Sequence, residues 1–423
     1  MKVLIMTLGT RGDVQPFIAL AQGLLSAGNE VVLTAPQRFA GFAAGHGVSF
    51  AGVDDGPMRL MDDPAMAGAV IEGGARARLR QVRTMPAMFT QVLADCWAVA
   101  SHGAGAGADV VVHNGQIIAG QHVAEKLGIP AVLALPIPMY VPTREFPWPA
   151  VAMPSWLPAA ANRSTFLGMK APAAIFGRVV DRWREDTLGL PRRRGRHDPL
   201  RRPDNGQAPV LHAFSPSVLP PPVDWPDSVH TTGYWFLPPS DEGLPPRVED
   251  FLRAGDPPVF VGFGSMSGRD PARSTALVLE AARSAETRLV IGAGWGGLDS
   301  GVSGDDVLAV EDVDYLRLFP RVAAVVHHGG AGTAGAAFAS GRPQVVCPFV
   351  ADQPFWARLA RSRGVAPAPQ PQRHLTAAGL ASAITTAATD SDMARAAQEL
   401  GDRVRAEDGI SAAVTVLEHI AAP

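Results

Sequence analysis

The stretch KVLIMTLGTRGDVQPFIALAQGLLSAGNEVVLT, residues 2–34, carries the pattern from which the architecture follows. Lys2 to Met6 is an apolar run of strand length, and Leu8 to Gly12 follow as a glycine-bearing turn. From Val14 onward Phe17, Ile18, Leu20, Ala21, Leu24 and Leu25 recur at helical spacing, and Gly28 suits the left-handed residue that ends a helix. Glu30 to Thr34 is a second apolar run. Strand, helix and strand in such close succession require a crossover connection, so the strands lie parallel in one sheet covered by helices.

The same grammar recurs along the chain. Asp109 to His113, Gly120 to Leu127 and Ala131 to Leu135 read as strand, helix and strand, and Val210 to Phe214 and Val229 to Trp235 as further strands. Leu237 to Arg247, with four prolines, is stiff and unlike either neighbour, which marks a linker. Beyond it Pro258 to Phe263, Arg288 to Ile291, Val307 to Val310, Val322 to His328 and Gln344 to Pro348 read as strands, with helices near 271–284, 334–340 and 353–363. The expected class is α/β, with a first domain over 1–237, a linker over 238–247 and a second domain over 248–401. Each domain holds a doubly wound sheet, whose ligands bind where strand C-termini face helix N-termini.

Composition is consistent with this and narrows the function. The 423 residues allow two or three domains at roughly 150 residues each. Hydrophobic residues at 47% against 18% charged supply a core for each, which excludes disorder as the overall class. A net charge of −3 offers no general attraction to nucleic acid or to an anionic membrane. Two cysteines, Cys96 and Cys347, make neither a disulfide framework nor a zinc cluster. No uninterrupted apolar run reaches the ~18 residues of a membrane span. The apolar start meets Arg11 and Asp13 too soon for a signal peptide, so a cytoplasmic protein is expected.

The sharpest constellation is His327-His328-Gly329-Gly330-Ala331-Gly332-Thr333, directly after an apolar strand. Glycines let backbone approach a ligand closely, and Thr333 opens a helix whose free N–H groups attract an anion. A histidine at the strand end adds a donor at the same place. A diphosphate requires that chemistry; a tight turn with packed histidines is the plainer reading. Asp352-Gln353-Pro354 sets an acid beside an amide, able to accept from and donate to the hydroxyls of a sugar. Spacing alone favours Asp352 as a helix N-cap with Pro354 in the first turn.

Gly9-Thr10-Arg11-Gly12-Asp13 lacks the Gly-x-Gly-x-x-Gly of a dinucleotide site. Asp13 is its one carboxylate, and reads equally as a general base and as the cap of a helix starting at Val14. Arg11 nearby is expected to help keep it ionised. Asp312-Val313-Asp314 suits a solvated loop better than a metal site. Gly264-Ser265-Met266-Ser267-Gly268 fails the hydrolase elbow, which leaves Ser265 to open a helix beside a phosphate. No His-Glu-x-x-His supports zinc hydrolysis. The arginines between Arg192 and Arg202 form a charge run in a proline-bearing loop, read as solvated rather than as a phosphate-binding arm.

Residues 9–16, Gly262-Phe263-Gly264-Ser265-Met266, His327 to Thr333 and Pro348 to Phe355, taken in order, resemble the nucleotide-sugar-dependent glycosyltransferases of the GT-B fold. The branch is the one shared by sterol glucosyltransferases and the enzymes that decorate glycopeptides and polyketides; Thr143-Arg144-Glu145-Phe146-Pro147 resembles it too. The resemblance implies two Rossmann-like domains, the first for the acceptor and the second for a UDP- or dTDP-linked hexose or deoxyhexose. It implies that His328 donates to the donor phosphate, with Ser265, Gly330, Gly332 and Thr333 completing the cradle. Asp352 and Gln353 would hold the sugar, and Asp13, supported by Thr10, Arg11 and Gly12, would be the base of an inverting, metal-independent transfer without a resident cofactor. Segment 402–423 would return to the first domain.

The histidine base of many relatives has no counterpart here, and the tryptophan that stacks on their nucleobase falls at Val313; Trp295 or backbone groups alone are the substitutes, and Trp295 reads equally as a packed aromatic. Met85, Met88, Phe89, Met139, Tyr140, Phe146, Trp148 and Trp156 are candidates for an apolar acceptor pocket, about half of them expected to be core. The partners implied are a nucleotide sugar and a hydrophobic, hydroxyl-bearing acceptor such as a natural product or sterol. A membrane-surface lipid transferase and a non-catalytic auxiliary protein are the competing readings.

Overall fold

The computed structural model describes residues 1–62, 75–150, 158–192, 197–239, 242–263, 271–293, 298 and 301–422. Among these, seven parallel strands form one sheet in the order β3-β2-β1-β4-β5-β6-β7. They are β1 (Lys2–Met6), β2 (Glu30–Pro36), β3 (Phe50–Val53), β4 (Val110–His113), β5 (Ala131–Leu135), β6 (Val210–His212) and β7 (Val229–Thr231). A second sheet runs β10-β11-β9-β8-β12-β13. Its strands are β8 (Val259–Gly262), β9 (Leu289–Gly292), β10 (Ser303–Gly304), β11 (Val307–Val310), β12 (Ala324–His327) and β13 (Gln344–Val346), parallel except for β10. Central strands such as β1 and β12 are buried on both faces, which accounts for their unbroken apolar sequence.

Several boundaries differ from the sequence reading, and three of them bear on the site. The first helix spans Arg11–Ser26 and starts ahead of Val14. Thr10 is its N-cap, and Asp13, in the first turn, reaches back to the Thr10 N–H as the reciprocal half of a capping box. Strand β7 stops at Thr231, because Thr232 turns its N–H and hydroxyl onto the His212 carbonyl and Gly233, at φ +113°, redirects the chain. Trp235 then packs edge-on against Phe17 instead of extending the strand.

The third difference concerns the end of the chain. Asp402 lies within the helix Ser391–Ala406, which packs on the helix Ala331–Ser340 of the second domain. The crossing back falls at Glu407–Asp408. The helix Gly409–Ala421 then lies on Arg11–Ser26, with Ala413, Val414 and Leu417 in the core that holds Phe17 and Leu24. The domains also share an apolar cluster in which Phe214, Val218 and Leu219 meet Phe338, Phe355 and Trp356. Burying such side chains stabilises the arrangement by roughly 1.5–3 kcal/mol each. No described helix is long and apolar enough to cross a membrane.

Candidate active site

In each sheet the strand order reverses direction once, and the loops leaving the two strands on either side of that point part to open a crevice. In the first sheet the reversal lies between β1 and β4. Asn114, just after β4, fastens the two loops together. Its Nδ2 donates to Thr7 Oγ1 at 2.9 Å and to the Leu8 carbonyl at 2.7 Å, while its Oδ1 accepts from the Gln116 and Ile117 amides at 3.1 and 3.0 Å. Asp13 stands in this crevice. Its Oδ2 accepts from the Thr10 N–H at 2.8 Å and the Thr10 hydroxyl at 3.0 Å, and its Oδ1 from Gln116 Nε2 at 2.8 Å.

Gly9 makes the fit possible. At φ +138° it adopts a backbone that side chains rarely tolerate, and a Cβ there would lie 2.4 Å from Asp13 Oδ2. Burial raises the Asp13 carboxyl above its ordinary range, partly opposed by the Thr10 and Gln116 donors. Arg11 does not take part as expected. It bonds Asp312 Oδ1 in the second domain at 3.3 Å and Gln15 on its own helix at 3.0 Å, and lies over the Phe42 ring. The donors on Asp13 are therefore uncharged. Gly12 is exposed beside the turn.

The second reversal lies between β8 and β12. His327, at the end of β12, is fully buried: the Gly329 N–H donates to its Nδ1 at 3.1 Å, so the proton sits on Nε2, which donates to Gln344 Oε1 at 3.0 Å. Burial pushes it down to about 3, and its role is to hold the turn. Gly329 there is at φ +90°, where a Cβ would come within 2.9 Å of Val346 and 3.1 Å of the Gln353 carbonyl. His328 is mostly buried and pushed down to about 4 by burial, hence neutral. The Gly262 backbone interacts with the imidazole, whose Nε2 lies over Gly330, 2.4 Å from where a Cβ would be.

Gly330 caps the helix Ala331–Ser340, and Gly332 and Thr333 fall in its first turn. First-turn amides have no intrahelical partner, so they and the His328 imidazole present donors to one place. Space beside Gly332 is open: a Cβ there would meet nothing within 4 Å.

The third loop closes on this one. Ala351, a side-chain-bearing residue at φ +56°, precedes the helix Gln353–Ser362. Asp352 occupies the N-cap position but does not cap; its Oδ2 accepts from Trp356 Nε1 at 2.8 Å. Burial pushes its carboxyl up to about 6, and the charge of Asp13 across the cleft adds to the rise. Gln353 is buried, and its Oε1 accepts from the Phe349 and Val350 amides at 2.7 and 3.2 Å, which ties that oxygen to the loop.

Other candidates are placed as follows. Val313 packs against the Phe260–Phe319 core, and Asp314 caps the helix Tyr315–Leu318 through the Leu316 N–H at 2.8 Å. Phe146 packs 5.2 Å from Phe355 on the seam between the domains. Trp148 donates from Nε1 to the Met139 carbonyl at 3.2 Å, and Tyr140 donates to the Gly115 carbonyl at 2.8 Å. Phe89 belongs to the first-domain core. Behind the 114–116 loop lies a cavity of about 50 Å³ bordered by His113, Ile117, Tyr140 and Phe176. Ser265, Trp295 and Trp156, with the side chain of Met85, lie outside the described residues. Sequence reasoning missed Asn114 and Gln116. Their position just after a central strand, next to β1, was the available signal.

Two doubly wound, Rossmann-like domains packed against each other make the GT-B class of fold. Residues 3–144 match the glycosyltransferase family 28 N-terminal domain, and residues 288–418 the erythromycin biosynthesis protein CIII-like C-terminal domain. The O-mycaminosyltylonolide 6-deoxyallosyltransferase of Streptomyces fradiae is 36% identical over 425 residues, 99% of this chain and 97% of that one. The sterol 3-beta-glucosyltransferase of Emericella nidulans is 32% identical over 99% of this chain, which spans only 30% of that protein's length. The crystal structure of the Streptomyces sp. SF2575 glycosyltransferase SsfS6 complexed with thymidine diphosphate superimposes with a TM-score of 0.62 at 20% identity, covering 99% of each chain. The chain belongs to this glycosyltransferase family.

Proposed function

We propose that the protein transfers a hexose or deoxyhexose from a UDP- or dTDP-sugar to a hydroxyl of a hydrophobic small molecule, with inversion, without a metal, and with Asp13 as general base. The observation that carries this is the confrontation of Asp13, in the first crevice, with Asp352 in the second, on the loop that packs against Gly329. A carboxylate whose affinity for protons is raised suits removal of a hydroxyl proton. As that proton passes to Asp13, the acceptor oxygen bonds to the anomeric carbon and the bond from that carbon to the diphosphate oxygen breaks. The electron pair leaves with the diphosphate, which the His328 imidazole and the amides of residues 331–333 receive. Attack from the face opposite the leaving group inverts the anomeric centre.

The Asp352 carboxylate, steadied by Trp356, stands where it accepts from sugar hydroxyls, and Gln353 shapes its loop. The thymidine diphosphate bound by SsfS6 favours a dTDP-sugar, and the tylonolide enzyme's name a macrolide-like acceptor. The test is to incubate the purified chain with UDP- and dTDP-sugars and a panel of polyketide and sterol acceptors, with and without chelator. Anomeric configuration is read by NMR. Transfer with retention, or transfer abolished by chelator, overturns the mechanism; exclusive use of vesicle-embedded sterol favours the lipid reading that the fungal relative suggests.

A further inference from the structure

Asp13 has two oxygens in unequal surroundings. Oδ2 accepts from both Thr10 donors and presses on Gly9, so its hydrogen-bonding positions are filled. Among the described residues Oδ1 accepts from Gln116 alone. We infer that Oδ1 is the atom that takes the acceptor proton, and that Gln116 is a positioning residue that aims this oxygen and tunes its basicity. The inference rests on Asp13 being the base.

Three observations converge on Gln116. It comes from the loop after β4, the neighbour of β1 at the reversal point, so it reaches Asp13 from outside the first loop. Its backbone N–H is held by Asn114 Oδ1 at 3.1 Å, and Asn114 in turn grips Thr7 and Leu8, so donor and acceptor sit on one braced unit. Thr7 Oγ1 donates to the Asp13 carbonyl at 2.7 Å, which ties the base's backbone into the same brace. A neutral amide donor stabilises the carboxylate without supplying a charge that would cancel its basicity.

Among the described residues the charged groups around Asp13 are Arg11 on its own helix, committed to Asp312, and Asp352 across the cleft. Removal of the Gln116 N–H withdraws stabilisation from the ionised form, so the carboxyl's pKa rises. The acid limb of the rate profile therefore moves to higher pH.

The experiment measures kcat and both KM values from about pH 5 to about pH 9, at saturating donor so that Asp352 acts on KM, for wild type, Gln116→Leu, Gln116→Glu and Asp13→Asn. Gln116→Leu moves the acid limb of kcat up by about one unit, a tenfold fall in ionised base on that limb, with KM values within about twofold. Gln116→Glu moves it further, because two carboxylates 2.8 Å apart share one proton; it also carries the test should the leucine variant fail to fold. Limbs that superimpose on wild type in the folded variants, even with a lower plateau, overturn the inference and leave Asp13 as base. Turnover retained in Asp13→Asn instead overturns the base reading itself.

Discussion

At the β1–β4 crevice the group turned to the cleft is a carboxylate, gripped by the side chains of Thr10 and Gln116; at the β8–β12 crevice it is an imidazole and a set of amides, brought forward by glycines. On the proposed function, the same topology makes a proton acceptor on one side and an anion receiver on the other. What differs is the source of polarity. The first crevice relies on a side-chain charge that must be positioned, the second on the backbone partial charges of a helix terminus, which need only be uncovered. His328 and Asp13 show the same contrast, since burial makes the imidazole neutral while raising the carboxyl's affinity for protons.

Substitutions break this comparison at different depths. Asp13→Asn removes the acceptor of the proton and keeps its shape, and turnover should fall by about a thousandfold or more with donor affinity unchanged by calorimetry. Unchanged turnover would place the base elsewhere. His328→Ala removes one donor among several, and a fall of about a hundredfold in kcat, with weaker nucleoside diphosphate binding, is expected in the same assays.

The glycines sharpen the contrast. Gly9→Ala forces a side chain into both a left-handed backbone and the Asp13 carboxylate, so denaturant melts should show a loss of about 2 kcal/mol and assays a further loss of rate. Gly332→Ala faces open space in the folded chain, so stability should hold within about 0.5 kcal/mol while the donor KM rises. Equal destabilisation by both would mean that the second crevice is packed rather than open.

The carboxyl of Asp352 predicts a pH effect on stability. Its folded pKa, about 6, exceeds the ordinary 3.8, so the folded state binds the proton more tightly than the unfolded chain. That contribution is full below about pH 4 and is lost as pH rises through about 6. Asp352→Asn should therefore stabilise by up to about 3 kcal/mol at pH 7 and by almost nothing near pH 3, measured by urea unfolding at both. The smallest effect belongs to the ion pair across the domains. Arg11→Ala should cost less than about 1 kcal/mol and change kcat less than twofold, since the side chains are 40% and 79% exposed and salt screens them.

Much of the fold was legible because its signals are local. The period of apolar residues in 2–34, the proline-rich linker and the glycines of 327–333 each report on neighbours a few residues away. The helix-terminus turn at 330–333 was legible for the same reason: glycines that open a helix N-terminus are consecutive residues. Less was legible of Asp13. Its candidacy came from being the one carboxylate in its turn, but Thr10 proved to be the cap, and Arg11 turned to a partner that stands 301 residues away. The aromatic residues read as an acceptor pocket went in part to the core and the seam, because composition does not say whether an apolar side chain meets a ligand or another side chain.

The order of residues by itself determined that there are two doubly wound halves and where most of their strands lie. Only the tertiary structure decided which side chain braces Asp13, that His327 holds its own turn, and that Asp13 and Asp352 confront each other. The reason is range. Backbone periodicity and capping act over a few residues, whereas these three facts depend on the adjacency of β1 with β4 and of β12 with β13, and on the closing of one domain on the other.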